Sequence, residues 1–226
     1  EVVGRRNLAP ACATPVAEGM VVRTNTPKVI DSRKMVVELM LSDHPKDCLT
    51  CPKSGQCELQ TLAESLGVRK IRVTGDSMST YALDESSPSI IRDRDKCIMC
   101  RRCETMCNQV QTVGALTAVD RGFGAVVSTA FDLPINETVC TMCGQCIQVC
   151  PVGALTEKSN LDEVIEALGD PDKTVIVNTA PAVRAALGEE FGIEPGYSVT
   201  GEMAAALRRV GFDYVFDTDF AADLTI

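Results

Sequence analysis

Eight of the twelve cysteines in this 226-residue chain fall into two runs of identical spacing, C-x2-C-x2-C-x3-C. They stand at Cys97, Cys100, Cys103 and Cys107, and again at Cys140, Cys143, Cys146 and Cys150. Thiolates at that density are soft donors for iron or zinc. Disulfides between cysteines so close in sequence are strained, so the even count does not describe a set of staples. Structural zinc usually takes two separated C-x2-C pairs. Three thiolates on one tight loop instead grip one face of an iron–sulfur cubane, whose fourth iron takes a remote ligand. Two 4Fe–4S clusters are therefore the chemistry this spacing favours.

In the two-cluster ferredoxin arrangement the fourth cysteine of each run crosses to the other cluster. Cys97, Cys100, Cys103 and Cys150 then hold one cluster, and Cys140, Cys143, Cys146 and Cys107 the other. The repeat extends past the ligands, because Val-Gly-Ala-Leu-Thr at 113–117 recurs at 152–156. Four extra residues, 109–112, precede the first copy. Pro151 follows the second run, and Asn108 stands at the matching place in the first. A duplication of this kind packs two pseudo-symmetric halves around a shared pair of clusters.

A second constellation is His44-x3-Cys48-x2-Cys51-x5-Cys57. A lone histidine is usually a surface or satisfied core residue. This one, the only histidine of the chain, stands four residues before three cysteines that lack a fourth ligand. It is read as the imidazole ligand of a third 4Fe–4S cluster. Neutral imidazole in place of thiolate makes such a site less negative and raises its potential. Cys12 is left over and, taken alone, is a small hydrophobe or an inert thiol.

The elements that must position these residues are short. Apolar spacing predicts a helix over 30–41, ending at Ser42-Asp43 just before His44. A second, over 55–67, places Leu59, Leu62, Ala63 and Leu66 on one face with Gly67 as its cap. After Cys150 the cysteines stop and the texture changes. Asn160 and Glu163 suggest a capping box for a helix ending near Leu168-Gly169. Residues 174–178 suggest a buried strand, and Pro181 suits the first turn of a helix running to about Leu187. Thr200 opens another helix with Met203, Leu207 and Val210 on one side, and 214–216 is a second strand. Strand, helices, strand is the crossover that opens an α/β domain.

Composition sets the outer limits. Lys and Arg total 22 against 31 Asp and Glu, a net charge of −9, which repels nucleic acid. Aromatics are only 4% with no Trp, so several small modules held by cysteines fit better than one large core. The longest apolar stretch, 35–41, is broken by Glu38, and no run approaches a membrane span. The expectation is a soluble, acidic protein without a nucleic-acid partner. The chain opens on Glu1 rather than Met and is read as a piece of something longer.

The order of sites, a His-plus-three-Cys set and then two ferredoxin-type runs, is followed by Thr179-Ala180-Pro181-Ala182-Val183-Arg184. The chain closes on Val215-Phe216-Asp217-Thr218-Asp219-Phe220-Ala221-Ala222-Asp223-Leu224. Essentially throughout, this resembles the N-terminal half of an iron-only (FeFe) hydrogenase of the multi-cluster type. The cluster motifs are shared with other redox enzymes, and the C-terminal segment discriminates. The resemblance implies an α+β chain of small iron–sulfur modules. Residues 1–27 would be the end of a 2Fe–2S ferredoxin-like domain, 28–86 a His/Cys 4Fe–4S domain, 87–158 a ferredoxin-like domain with two 4Fe–4S clusters, and 159–226 the start of an α/β catalytic domain.

Residues 8–14 match the stretch that holds the fourth 2Fe–2S ligand in that family, so Cys12 is implied as that ligand, its three companions lying before Glu1. The cysteines of the hydrogen-activating H-cluster would lie beyond Ile226, which leaves no catalytic residue assigned here. Ala180, Pro181 and Ala182 would border that cluster, since a strand-to-helix turn presents N–H groups to anionic ligands. An ordinary strand–helix corner reads the same residues equally well. The implied function is reversible reduction of protons to H2, with electrons supplied by ferredoxin, by a flavoprotein subunit using NAD(H) or NADP(H), or by both, in the cytoplasm of an anaerobe. The rivals are an NAD-linked formate dehydrogenase, a respiratory complex I subunit and a stand-alone polyferredoxin. The absence of cysteine after Cys150 argues against the first, and the α/β opening against the last.

Overall fold

The computed structural model describes residues 1–73, 75 and 81–226, so part of the expected 28–86 domain lies outside the described residues. The chain forms two units, Glu1–Lys158 and Ser159–Ile226. Among the described residues no helix is long and apolar enough to cross a membrane.

In the first unit, helix α1 spans Pro27–Ser42. It starts earlier than its apolar spacing suggests, because Thr26 caps it through a hydrogen bond from the Val29 N–H and Pro27 occupies the first turn. Helix α2, Glu58–Ser65, begins directly at Cys57. Leu59 is buried and Ala63 and Leu66 pack against the core, whereas Leu62 is exposed. The stripe 59–63–66 is narrow, and Leu62 sits on its margin, turned to solvent. Gly67, at φ +64°, closes the helix: its N–H bonds to the Glu64 carbonyl and that of Val68 to the Ala63 carbonyl, a Schellman pattern.

The rest of this unit is built from one-turn helices and three-residue strands. These are β1 (Ile90–Arg92), α3 (Arg102–Thr105), β2 (Thr117–Val119), β3 (Val126–Ser128), α4 (Gln145–Gln148) and β4 (Leu155–Glu157). β1 pairs antiparallel with β4, Ile90 opposite Glu157, and β2 antiparallel with β3, Thr117 opposite Ser128. The two copies of Val-Gly-Ala-Leu-Thr thus lead into β2 and β4. The duplication is also written in the backbone. Met99 and Met142 share positive φ (53° and 57°), as do Arg101 and Gly144 (60° and 72°), the equivalent positions of the two cysteine runs. Where the first copy carries extra residues, α3 widens into a π-helical turn, Met106–Val110, with the Gln111 N–H bonded to the Met106 carbonyl. An inserted residue is commonly absorbed in this way.

Ile90, Leu116, Ile135, Val152 and Leu155 form the centre of the core, with buried cysteines among them. The Arg92 guanidinium is buried beside it. Arg92 pairs with Asp84 (3.0 Å) and donates to Ser128, Thr129 and the Leu133 carbonyl. A buried guanidinium is tolerable only when its donors are used in this way.

The second unit runs α5 (Leu161–Gly169), β5 (Ile176–Thr179), α6 (Pro181–Glu190), α7 (Thr200–Val210), β6 (Tyr214–Asp217) and α8 (Thr218–Asp223). β5 and β6 are parallel, Ile176 opposite Tyr214 and Thr179 opposite Asp217. The strand expected from 174 begins later because Val175 is held by Asp213, whose carboxylate accepts its N–H and whose N–H reaches its carbonyl. The capping box does not close in its usual form. Asn160 bonds the Glu163 side chain instead, and Ser159 takes the Leu161 N–H. Met203 is buried, but Val210, the last residue of α7, is exposed.

Candidate iron–sulfur centres

Each cysteine run curls through the left-handed positions just described, which turns its first three thiols toward one space. The fourth thiol goes elsewhere. Cys97, Cys100, Cys103 and Cys150 line one cavity of about 470 Å³, part of it open to solvent, with apolar walls that include Ile98 and Val127. Cys107, Cys140, Cys143 and Cys146 line a second, of about 350 Å³, walled by Ile90 and Ile135. The structure therefore places Cys150 with the first run and Cys107 with the second.

His44, Cys48, Cys51 and Cys57 line a third cavity, of about 840 Å³ including open solvent. Helix α1 ends two residues before His44, and Cys57 is the N-cap residue of α2. Between them the loop is held by short backbone bonds, such as Thr50 N–H to the Asp47 carbonyl and Ser54 N–H to the Cys51 carbonyl. The neighbouring repeat reaches this site twice. The Pro151 carbonyl accepts the Glu58 N–H at 3.0 Å. Gly153 lies so close that a Cβ there would stand 2.7 Å from the Cys51 sulfur.

In the two ferredoxin-type sets, burial works against the charged form of Cys103, Cys146 and Cys150. Burial, and then the neighbouring thiols Cys97, Cys150 and Cys100, push the Cys103 thiol up to about 12. Burial followed by Cys140, Cys143 and Cys107 pushes Cys146 up to about 12 as well. Burial also raises Cys150, while N–H groups of Val152, Leu155 and Ala154 act the other way. Further N–H groups point at sulfur, from Ala115 to Cys107 and from Met142 to Cys140, each at 3.4 Å. Four thiolates crowded in an apolar space are stable only against a large positive charge, which iron supplies. Burial lowers the His44 imidazole from its usual value, against the opposing pull of Asp47, and so favours the neutral form, which ligates metal. Its Nδ1 is buried and meets no hydrogen-bond partner among the described residues.

Among the described residues no three His, Cys, Asp or Glu side chains group tightly enough to hold a single metal ion. The four donors of each set stand around a cavity, as the ligands of a cubane do. The residues fit 4Fe–4S clusters.

Cys12 is exposed in a turn at residues 10–13, apart from these three sets. Ala180 is the N-cap of α6 and Pro181 its first residue, immediately after β5. The β6–α8 corner lies beside it, with the Thr218 hydroxyl donating to the Thr179 carbonyl at 3.0 Å. Asp217 caps α8 by accepting the Phe220 N–H. Sequence reasoning missed Gly153, although its place in the repeat marked it. It also missed Asp47 and Lys96, which pair beside the His44 set at 3.4 Å.

Residues 33–72 match the family described as the NADH-ubiquinone oxidoreductase-G iron-sulfur binding region, and 96–154 match the 4Fe-4S dicluster domain. Residues 173–226 match the iron only hydrogenase large subunit, C-terminal domain. The chain is 67% identical over all 226 residues to the NADP-reducing hydrogenase subunit HndD of Solidesulfovibrio fructosivorans. It is 37% identical over 219 residues, 97% of the chain, to iron hydrogenase 1 of Clostridium pasteurianum. It spans 38% of the length of each of these relatives. A solved NAD+-reducing [NiFe]-hydrogenase in its H2-reduced state matches with a TM-score of 0.60 and 26% identity, over 66% of this chain and 63% of that one.

Proposed function

Because the chain belongs to the iron-only hydrogenases, we propose that it is the electron-relay portion of an enzyme that reversibly reduces protons to H2. Three 4Fe–4S clusters would be held by the Cys97/Cys100/Cys103/Cys150, Cys140/Cys143/Cys146/Cys107 and His44/Cys48/Cys51/Cys57 sets. When bound, these clusters supply one-electron carriers spaced along the chain. The chain's own residues do the rest. Thiolates and one imidazole fix the positions, apolar walls limit water, and N–H groups aimed at sulfur stabilise negative charge.

The observation that carries the reading is the gathering of three four-donor sets around three separate cavities, in a chain whose residues 173–226 match a hydrogenase catalytic domain. The same match favours a hydrogenase over a respiratory dehydrogenase, with which only the cluster modules are shared. Residues 28–86 and 87–158 would be the cluster modules. Residues 1–27, with Cys12, would close a 2Fe–2S domain, and 159–226 would open the domain of the H-cluster, with Ala180, Pro181 and Ala182 facing it. A relative named as an NADP-reducing hydrogenase subunit supports a complex with other subunits that exchanges electrons with NADP(H); in the proposed reading that complex is cytoplasmic and an NAD(P)H-linked flavoprotein subunit, with or without ferredoxin, supplies the electrons.

The test is Cys150→Ser in the full-length protein, read by EPR after reduction with dithionite and, in complex with its NAD(P)H-linked subunit, by H2 evolution driven by NADPH. The signal of the Cys97-set cluster should be lost and H2 evolution should slow. Loss confined to the Cys140-set cluster would contradict the ligand assignment. Cluster loss with undiminished H2 evolution would contradict the relay.

A further inference from the structure

Lys96 is a lysine almost withdrawn from water, its side chain only 11% exposed. A buried ammonium is unfavourable unless paired, and this one is held on both sides. Its Nζ lies 2.9 Å from Asp93 and 3.4 Å from Asp47. The two carboxylates come from different places. Asp93 opens the short turn that leads to Cys97, whereas Asp47 sits in the loop between His44 and Cys48. Lys96 is thus joined through its backbone to the first ligand of one cluster set, while its side chain reaches into another.

The reach is close. The Lys96 stem and the Cys51 sulfur flank the same point, the place of a Cβ on Gly153, at 3.4 Å and 2.7 Å. A positive charge fixed beside a redox centre in a low-dielectric surrounding favours its reduced, more negative form, and a fixed negative charge does the opposite. Simple bracing of two loops would not require a charge at all, since an apolar side chain of similar length could fill the space.

Resting on the relay reading, we propose that Lys96 is a potential-setting and positioning residue for the His44/Cys48/Cys51/Cys57 centre. Its ammonium, clamped between Asp47 and Asp93, raises the potential of that centre from within the neighbouring module. Asp47 opposes it from the other side of the pair. The neutral imidazole of His44 and the charge of Lys96 act in the same direction and make this centre the easier one to reduce.

The experiment is an anaerobic redox titration, followed by EPR, of the cluster-loaded full-length protein and three variants. Lys96→Gln should lower the potential of the His44 centre, Asp47→Asn should raise it, and Lys96→Arg should leave it near the wild-type value. The Cys140-set centre should move less in each. An unchanged potential in Lys96→Gln with iron retained would overturn the proposal. So would shifts of the same sign in Lys96→Gln and Asp47→Asn, which is what mere loosening of the loops would give. If Lys96→Gln loses the cluster, Asp47→Asn decides alone: a rise supports the proposal, and a fall or no change overturns it. A wild-type protein with no cluster at His44 would overturn the relay reading itself, a result distinct from a loaded centre that ignores both charges.

Discussion

Cys103 and Cys146 hold their protons far beyond the ordinary thiol value of 9.0, up to about 12, because burial and neighbouring sulfurs both disfavour the thiolate. Iron must displace those protons. At every pH below the raised value the proton competes, so apparent iron affinity rises with pH, by roughly tenfold per pH unit for each proton displaced. Iron retained against a fixed concentration of chelator should therefore fall as the pH is lowered from about 9 toward about 6. Retention that is flat, or that improves on acidification, would show that these thiols do not carry the iron. The chemical identity of such residues is legible in sequence because ligands are specified by type and spacing. The twelve donors gathered in the three sets were all named by motif. What spacing does not carry is the neighbourhood. Lys96 and Asp47 lie 49 residues apart in sequence and meet at 3.4 Å only in the fold.

At the scale of elements, the two copies of Val-Gly-Ala-Leu-Thr use their glycines differently. Gly114 has φ +77° and open space around a Cβ, so only its backbone conformation calls for glycine. Gly153 is needed for close approach to Cys51 and Lys96. Alanine at 114 should destabilise the protein by about 1–2 kcal/mol through its left-handed backbone and leave the iron in place. Alanine at 153 should destabilise it by about 1–3 kcal/mol and loosen the His44 centre in particular. Iron content and thermal melting of the two variants, compared with wild type, check both statements. Full iron retention in Gly153→Ala would contradict the second. A repeat in sequence cannot separate these roles, because its two copies are spelled alike. The short strands β1 to β4 were equally hidden, since three residues carry too little alternation to register. The early start of α1 was not: Thr26-Pro27 signals it, but the apolar spacing that begins at Ile30 drew the boundary too late.

Across the whole molecule, the core of Glu1–Lys158 is built, among the described residues, from aliphatic side chains interleaved with Cys57, Cys103, Cys146 and Cys150 rather than from aromatics, which make up only 4% of the chain. That economy was visible in composition, as was the change of texture after Cys150. The parallel pairing of β5 with β6 agrees with the crossover read from the strand–helix–helix–strand order, and Asp213 holds Val175 just ahead of β5. The central claim is that three sets of four donors hold three cubanes, and metal analysis tests it most directly. Protein reconstituted anaerobically with iron and sulfide, then freed of excess reagent, should contain roughly twelve iron and twelve acid-labile sulfide per chain. Zinc bound without acid-labile sulfide would contradict the account.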